Sequence, residues 1–263
     1  MLLRYILRLL LAGLLASSAL LAPVPWPTVR MGVINHAHTA HADGPTNVSG
    51  IISSDTTWTR ANSPYIVTGS ILVSQGVTLT VAPGVTVKFD GNYNLRVDGT
   101  LRAIGTTYNG ILFTSNRPSP SPGNWPHIEL SSTSPPASFD ELGNLAGGSA
   151  IRFATIEWAD QGIYFYNTSP LIDNNAIVNN WHGINYIGYS SPKITNNVIK
   201  GNSQSGIIAG NPGGTATIEQ NLILNNGDGI HINGPATIRW NTIAKNSTGL
   251  RAGAPGTIGS NNI

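Results

Sequence analysis

The chain contains no cysteine, which excludes both disulfide bonds and a lipid anchor attached through cysteine. Charged residues make up only 10% of its 263 residues, with 14 Lys and Arg against 12 Asp and Glu. Arg4, Arg8 and Arg30 precede Asp43 while no acidic residue does, so a chain that starts at Asp43 carries a slight excess of acidic side chains. The sequence therefore lacks the clustered basic face that is typical of nucleic-acid-binding proteins.

Long apolar segments are also absent, except from Leu9 to Ala22 near the N-terminus. The basic residues Arg4 and Arg8, the apolar core and the small residues within it are typical of an export signal. Because the apolar core is shorter than the about 20 residues that cross a membrane, we expect a signal peptide that is removed, with an uncleaved signal anchor as the alternative. Cleavage after Ala42 fits the small-x-small rule, so residues 1–42 are predicted to be signal peptide and leader. No stable membrane span then remains.

What the sequence does contain is a repeat of the form I-x-x-N-x-[IV] through its second half. The copies start 20 to 24 residues apart, and a degenerate copy without the asparagine begins at Ile151. A second asparagine follows the first by five residues, and a glycine with an apolar neighbour comes next. A period of this size predicts a stacked solenoid. The first asparagines of the copies are Asn175, Asn197, Asn221, Asn241 and Asn261.

The repeat favours short parallel β-strands over helices. Ile, Val and Leu recur at strand-like spacing, no sustained helical period occurs between Ala150 and Ile263, and Gly and Asn supply turns. We expect one strand around each I-x-x-N-x-[IV] motif, a turn at the second asparagine and another strand after the glycine. Because stacked strands lie about 4.8 Å apart, the repeated asparagines are predicted to form an amide ladder along the stack.

These motifs resemble the right-handed parallel β-helix repeats of the pectin-lyase-like superfamily, above all those of periplasmic and cell-surface β-helix proteins. The stretch from Gly76 to Phe89, G-V-T-L-T-V-x-P-G-V-x-V-K-F, resembles the N-terminal coils of bacterial surface members. The resemblance implies an all-β, single-stranded solenoid. We predict a cap and first coils over 43–130, a Pro/Ser/Gly-rich loop over 131–147, and regular repeats with an open C-terminal end over 148–263. A separate N-terminal binding domain is the alternative.

Alignment of the coils places certain polar residues in columns on an outward surface. Asp228, His231 and Arg251 fall in neighbouring positions of two coils. A carboxylate, an imidazole and a guanidinium are groups that bind a sugar acid or abstract a proton from it, so these three are the candidate catalytic residues. The alternative is a chance set of polar residues on a solenoid surface.

The same columns contain the candidate substrate-binding residues Tyr164, His182 and Asn185. Tyr164 is predicted to point outward, where an aromatic ring serves as a platform for a sugar ring. Tyr186 falls in an inward column and is predicted to lie in the core.

Opposite charges also face one another two positions before the first asparagine of each repeat. Arg152 is predicted to neighbour Asp173, and Glu219 to neighbour Arg239. We expect exposed ion pairs here, which contribute little to stability.

The catalytic motifs of the superfamily that the chain resembles are missing. The Arg-x-Pro-x-x-Arg element and clustered calcium-binding Asp residues of pectate and pectin lyases do not occur, nor do the Asn-Thr-Asp and Arg-Ile-Lys elements of polygalacturonases. His36, His38 and His41 are close enough to hold a metal but precede the predicted cleavage point. We predict no metal site and no cofactor, with calcium as an alternative that has no clear site.

The sequence as a whole predicts an exported β-helix module that binds carbohydrate or another envelope component without catalysis. Its expected location is secreted, periplasmic or at the cell surface. One alternative is a polysaccharide lyase or glycoside hydrolase that acts on uronic-acid polymers. Another is a structural solenoid or adhesin fragment. The expected partners are a polysaccharide or envelope component and, through the open C-terminal coil, a second copy of the chain, but not nucleic acid.

Overall fold

The computed structural model describes residues 44–210, 213–253 and 257–258. The predicted signal peptide and the predicted open C-terminal end lie outside the described residues. No helix within the described ranges is long and apolar enough to cross a membrane. The other residues singled out from the sequence that fall outside them are His36, His38, His41 and Asn261.

Within these residues the chain forms 27 β-strands and one short 3-10 helix at Arg60–Asn62. The first nine strands are β1 (Thr46–Ile52), β2 (Thr56–Trp58), β3 (Tyr65–Val73), β4 (Thr78–Val81), β5 (Thr86–Phe89), β6 (Leu95–Val97), β7 (Thr100–Ile104), β8 (Ile111–Ser115) and β9 (Trp125–Leu130). The next nine are β10 (Ser138–Phe139), β11 (Leu145–Gly147), β12 (Ala150–Arg152), β13 (Ala154–Glu157), β14 (Ala159–Tyr166), β15 (Leu171–Asp173), β16 (Ala176–Val178), β17 (His182–Ile187) and β18 (Lys193–Thr195). The last nine are β19 (Val198–Lys200), β20 (Ser205–Gly210), β21 (Ala216–Glu219), β22 (Leu222–Leu224), β23 (Asp228–Ile232), β24 (Ala236–Arg239), β25 (Thr242–Ala244), β26 (Thr248–Ala252) and β27 (Thr257–Ile258).

Three stacks of parallel strands form the walls of a solenoid of about nine turns. Face 1 has the order β2-β4-β7-β12-β15-β18-β21-β24-β27, face 2 the order β5-β8-β13-β16-β19-β22-β25, and face 3 the order β6-β9-β14-β17-β20-β23-β26. Strand β3 joins faces 2 and 3, because its first half pairs with β5 and its second half with β6. Each regular turn passes through faces 1, 2 and 3 in that order. The predicted parallel β-helix is therefore confirmed.

The core is a continuous column of apolar side chains inside the three faces. Ile172 on face 1 and Ile177 on face 2 are fully buried, and each pairs with another isoleucine one coil further on. Aromatic rings also form part of this core. The ring of Tyr186 stacks on the ring of Phe165 of the preceding coil, with their centroids 5.2 Å apart. Tyr186 is fully buried, in agreement with its predicted inward position. This stack of like side chains provides a core in the absence of disulfides.

Each I-x-x-N-x-[IV] motif that the structure describes in full spans two strands on different faces, so the prediction of a single strand was wrong. In one coil, β15 and β16 are separated by Asn174, whose φ of 57° lies in the left-handed region. Asn196 and Gln220 have φ values of 56° and 57° at the equivalent places. A left-handed residue turns the chain sharply from face 1 to face 2, and asparagine adopts this conformation more readily than most residues.

In the four regular coils from β15 to β26, asparagines occupy both of the tight corners, and all of them but Asn246 are buried. Their amides hydrogen-bond from coil to coil, donate to a carbonyl oxygen of an earlier coil and accept from its backbone N–H groups, so the polar backbone at the corners is satisfied internally. The column between faces 1 and 2 contains Asn175, Asn197, Asn221 and Asn241. The column between faces 2 and 3 contains Asn180, Asn202, Asn226 and Asn246.

The predicted loop over 131–147 contains a hairpin. Strands β10 and β11 pair antiparallel, the only such pairing among the described strands. Oδ1 of Asp140 accepts hydrogen bonds from the backbone N–H groups of Leu142 at 3.0 Å and Asn144 at 2.8 Å, and these bonds fix the turn. The hairpin is an excursion between β9 on face 3 and β12 on face 1.

Candidate functional site

The outward side of face 3 has a row of side chains that crosses seven neighbouring strands, and all of them but Ile208 are polar or aromatic. Strand register sets the row, because each member pairs with the next across parallel strands. At a strand spacing of about 4.8 Å, seven strands extend the row over about 29 Å. We call this set the face-3 row; its members are Arg96, Glu129, Tyr164, Asn185, Ile208, His231 and Arg251.

At the C-terminal end of the face-3 row, the structure brings the three candidate catalytic residues together. Nδ1 of His231 lies 3.6 Å from Oδ2 of Asp228, and a terminal nitrogen of Arg251 lies 3.9 Å from Oδ1 of the same carboxylate. The Asp228 side chain is 20% exposed and that of Arg251 is 57% exposed. The three residues thus form one solvent-accessible ionic group.

At the other end lies a second ionic group, which the sequence analysis missed. Nη1 of Arg96 lies 3.3 Å from Oε1 of Glu129, and Nε2 of His127 lies 3.5 Å from its Oε2. Nε of Arg96 also donates to Oδ1 of Asp98 at 3.0 Å. The ring of Tyr164 lies beside His127, with centroids 5.4 Å apart. We call these five residues the Glu129 cluster.

The surroundings of Glu129 in the Glu129 cluster favour the ionised form of its carboxylate. The hydrogen bond from His127 and the positive charge of Arg96 lower the pKa of Glu129, although burial opposes them. Burial raises the pKa of the Tyr164 hydroxyl, which is therefore neutral near pH 7 and able to donate a hydrogen bond. The cluster thus presents an ionised carboxylate that is already paired, a guanidinium and a neutral phenol.

Amide and imidazole groups lie between the two ionic groups. Nδ2 of Asn185 donates to Oε1 of Gln161 on the adjacent strand at 2.8 Å. His182 pairs in register with Gln161 but joins neither ionic group; its Nδ1 is buried and has no hydrogen-bond partner within the described residues. Burial lowers the pKa of His182, so this imidazole is neutral near pH 7. The three candidate substrate-binding residues therefore lie in or beside the middle of the face-3 row.

No group of three or more His, Cys, Asp or Glu side chains able to hold a metal ion occurs in the part of the chain that the structure describes. All three histidines of that part, His127, His182 and His231, lie on face 3, on separate strands. Two of them face a carboxylate, as described above.

Sequence comparisons agree with the solenoid fold. The family model described as periplasmic copper-binding protein (NosD) matches residues 130–263, and the model described as pectate-lyase like beta helix domain matches residues 50–144. Protein bark beetle of Drosophila melanogaster is 39% identical over 66 residues, a match that covers 25% of this chain and 2% of that protein. No solved structure matches the chain significantly. The two family matches confirm the predicted relationship to pectin-lyase-like β-helix proteins.

Proposed function

The chain belongs to the family described as periplasmic copper-binding protein (NosD), and we propose that it acts as an exported β-helix module that binds envelope polysaccharide along face 3 without cleaving it. A β-helix module of the periplasm fits both matching families. Polysaccharide as the ligand is our inference from the chemistry of the face-3 row.

The observation that carries the proposal is the extent of the face-3 row, which crosses seven strands with Ile208 as its one apolar member. Its ends hold charged groups, while Tyr164 and the Gln161–Asn185 amide pair occupy the central strands. A sugar ring has an apolar face that stacks on an aromatic ring and hydroxyls that exchange hydrogen bonds with amides. An extended row of such groups suits a chain of sugars better than a single small molecule.

Binding without cleavage is favoured because the ionisable groups are engaged with one another. The lowered pKa of Glu129 leaves its carboxylate charged and unsuited to the role of a general acid near neutral pH. The Asp228 carboxylate faces both His231 and Arg251. Such pairs are suited to holding a charged or hydroxylated ligand in a fixed orientation.

Copper, which the family description names, does not fit the donor groups of the described coils. Copper sites in proteins are built mainly from imidazole, thiolate or thioether ligands, and oxygen ligands join nitrogen ligands at Cu(II) sites. The chain has no cysteine, and its two methionines, Met1 and Met31, precede the described residues. The described histidines lie on separate strands without a third ligand beside them. We therefore assign no copper chemistry to these coils.

The proposal is tested by titrating the exported protein with neutral and acidic oligosaccharides in a calorimeter, while a parallel assay detects new reducing or unsaturated ends. We expect saturable binding without product. Tyr164→Ala should weaken binding about tenfold, since loss of one stacked ring costs on the order of 1 kcal/mol. Tyr108→Ala is the matched control, because Tyr108 is 94% exposed and lies away from face 3.

Two results would contradict the proposal. Product formation that His231→Ala abolishes would identify a lyase or hydrolase instead. Equal binding by the Tyr164→Ala and Tyr108→Ala variants would remove face 3 as the binding surface.

A further inference from the structure

A recess lies on face 1, beneath the β10–β11 hairpin. Its volume is about 450 Å³, and the hairpin contributes Phe139 and the turn around Asn144 to one wall. The floor consists of side chains of β7, β12, β15, β18 and β21 and of the residues that directly follow β18 and β21. We call this space the hairpin pocket. It lies on a different face from the face-3 row.

Ion pairs along the floor neutralise the acidic groups of the hairpin pocket. Nη2 of Arg152 lies 2.8 Å from Oδ2 of Asp173, and Nε of Arg239 lies 2.6 Å from Oε1 of Glu219. Both predicted pairs therefore form, but their expected exposure was wrong for the acidic partners, because Asp173 is only 6% exposed and Glu219 only 9%. Burial raises the pKa of Asp173, but hydrogen bonds from Asn196 and its neighbours outweigh it and lower the pKa overall.

Two further cations at the hairpin pocket lack such a carboxylate partner. Among the described residues, neither Arg102 nor Lys193 lies within 4.0 Å of a carboxylate oxygen. Arg102 donates to the carbonyl oxygen of Gly148 at 3.2 Å, which leaves its other N–H groups available. Nζ of Lys193 lies 5.0 Å from the ring centroid of Phe139. The pocket therefore has a net positive lining and an aromatic wall.

We propose that the hairpin pocket binds a sugar residue that carries a carboxylate, as in an acidic polysaccharide. Its carboxylate would pair with Lys193 and Arg102, and its ring would lie against Phe139, which is 40% exposed. Arg102 and Lys193 belong to one column of face 1, three strand steps apart. At about 4.8 Å per step their Cα atoms are about 14 Å apart. The two long side chains can bridge this distance when a sugar acid lies between them.

The hairpin pocket is tested independently of face 3 by calorimetric titration of the exported protein with a trisaccharide of glucuronate and with its neutral glucose counterpart. Lys193→Ala and Arg102→Ala should each weaken binding of the acidic trisaccharide about tenfold or more, since hydrogen bonds to charged groups contribute about 1.5–3 kcal/mol. Lys193→Arg keeps the charge and should retain binding. Lys200→Ala is the control, because Lys200 is exposed on face 2.

The outcomes separate this proposal from the one for face 3. Loss of binding in the Lys193→Ala variant with no change in the Tyr164→Ala variant would support the hairpin pocket even if face 3 binds no glycan. Unchanged binding of the acidic trisaccharide in both Lys193→Ala and Arg102→Ala would overturn it. Full competition by inorganic sulfate at equal concentration would also overturn it, because the pocket would then be a general anion site without recognition of the sugar.

Discussion

Oδ1 of Asn197 accepts two hydrogen bonds from Asn175 of the preceding coil, one from its backbone N–H at 2.9 Å and one from its side-chain Nδ2 at 3.0 Å. Nδ2 of Asn197 donates in turn to the backbone carbonyl of Ile172 at 3.0 Å and to Oδ1 of Asn221 at 3.0 Å. One buried amide thus bonds to polar groups of the coils on both sides of its own. A solenoid corner built in this way is sensitive to loss of a single asparagine.

Asn197→Ala should therefore destabilise the fold. The substitution leaves the buried backbone N–H of Asn175 without its partner, at a cost of about 1–3 kcal/mol, and removes the side-chain hydrogen bond to the carbonyl of Ile172. The urea midpoint measured by circular dichroism should fall clearly. Asn47→Ala is the control, because Asn47 is exposed on β1, and it should leave the midpoint nearly unchanged.

Gly183→Ala should also destabilise the protein, for a steric reason. A Cβ atom at Gly183 would lie 2.5 Å from the backbone oxygen of Gly206 on the next coil, so β17 and β20 would have to separate. Overpacking of this kind costs about 1–3 kcal/mol. At Gly249, the same place in the last described coil, the nearest atom would be Cγ2 of Ile243 at 3.8 Å, an ordinary contact. Thermal melts should show a large decrease for Gly183→Ala and a small one for Gly249→Ala; equal decreases would refute the steric explanation.

Asp173 should contribute to acid sensitivity. Its pKa in the folded state lies below the ordinary value of 3.8, so its contribution is fully present above that value and is lost as pH falls through the lowered pKa. At pH 7, Asp173→Asn should lower the free energy of unfolding by about 1.5–3 kcal/mol, because hydrogen bonds to a charged group are lost.

The difference between the Asp173→Asn variant and the parent should shrink as the pH falls towards 3. Urea titrations at several pH values measure this trend. Glu141→Gln is the control, since Glu141 is exposed in the hairpin turn. A difference that stays constant from pH 7 to pH 3 would show that the ionised carboxylate of Asp173 does not stabilise the fold.

The regular coils were predictable because identical residues of successive repeats meet in space. A period read from the sequence places Tyr186 inward and Tyr164 outward, and the structure agrees in both cases. The turn within each motif was not predicted, because a left-handed residue such as Gln220 has no special mark in the sequence. Its φ of 57° is imposed by the corner rather than by its own preference.

The Glu129 cluster escaped the sequence analysis because its strands lie before the regular repeats. Arg96 and Glu129 pair directly across β6 and β9, although an irregular segment separates them along the chain. Their register follows from core packing, in which Leu95 and Ile128 are paired and fully buried. The alternation of buried and outward residues around His127 and Glu129 was the available signal, but alternation alone does not reveal which strand is the neighbour.

The most direct test of the polysaccharide-binding face is a proton NMR titration of the histidine Cε1–H signals, because all three described histidines lie on face 3. Signals assigned with His127→Gln, His182→Gln and His231→Gln variants would be followed while an oligosaccharide that binds in the calorimeter is added. We predict saturable shifts for His127 and His182, with an affinity that matches calorimetry. Shifts at neither residue despite full binding would contradict the assignment of the ligand to face 3.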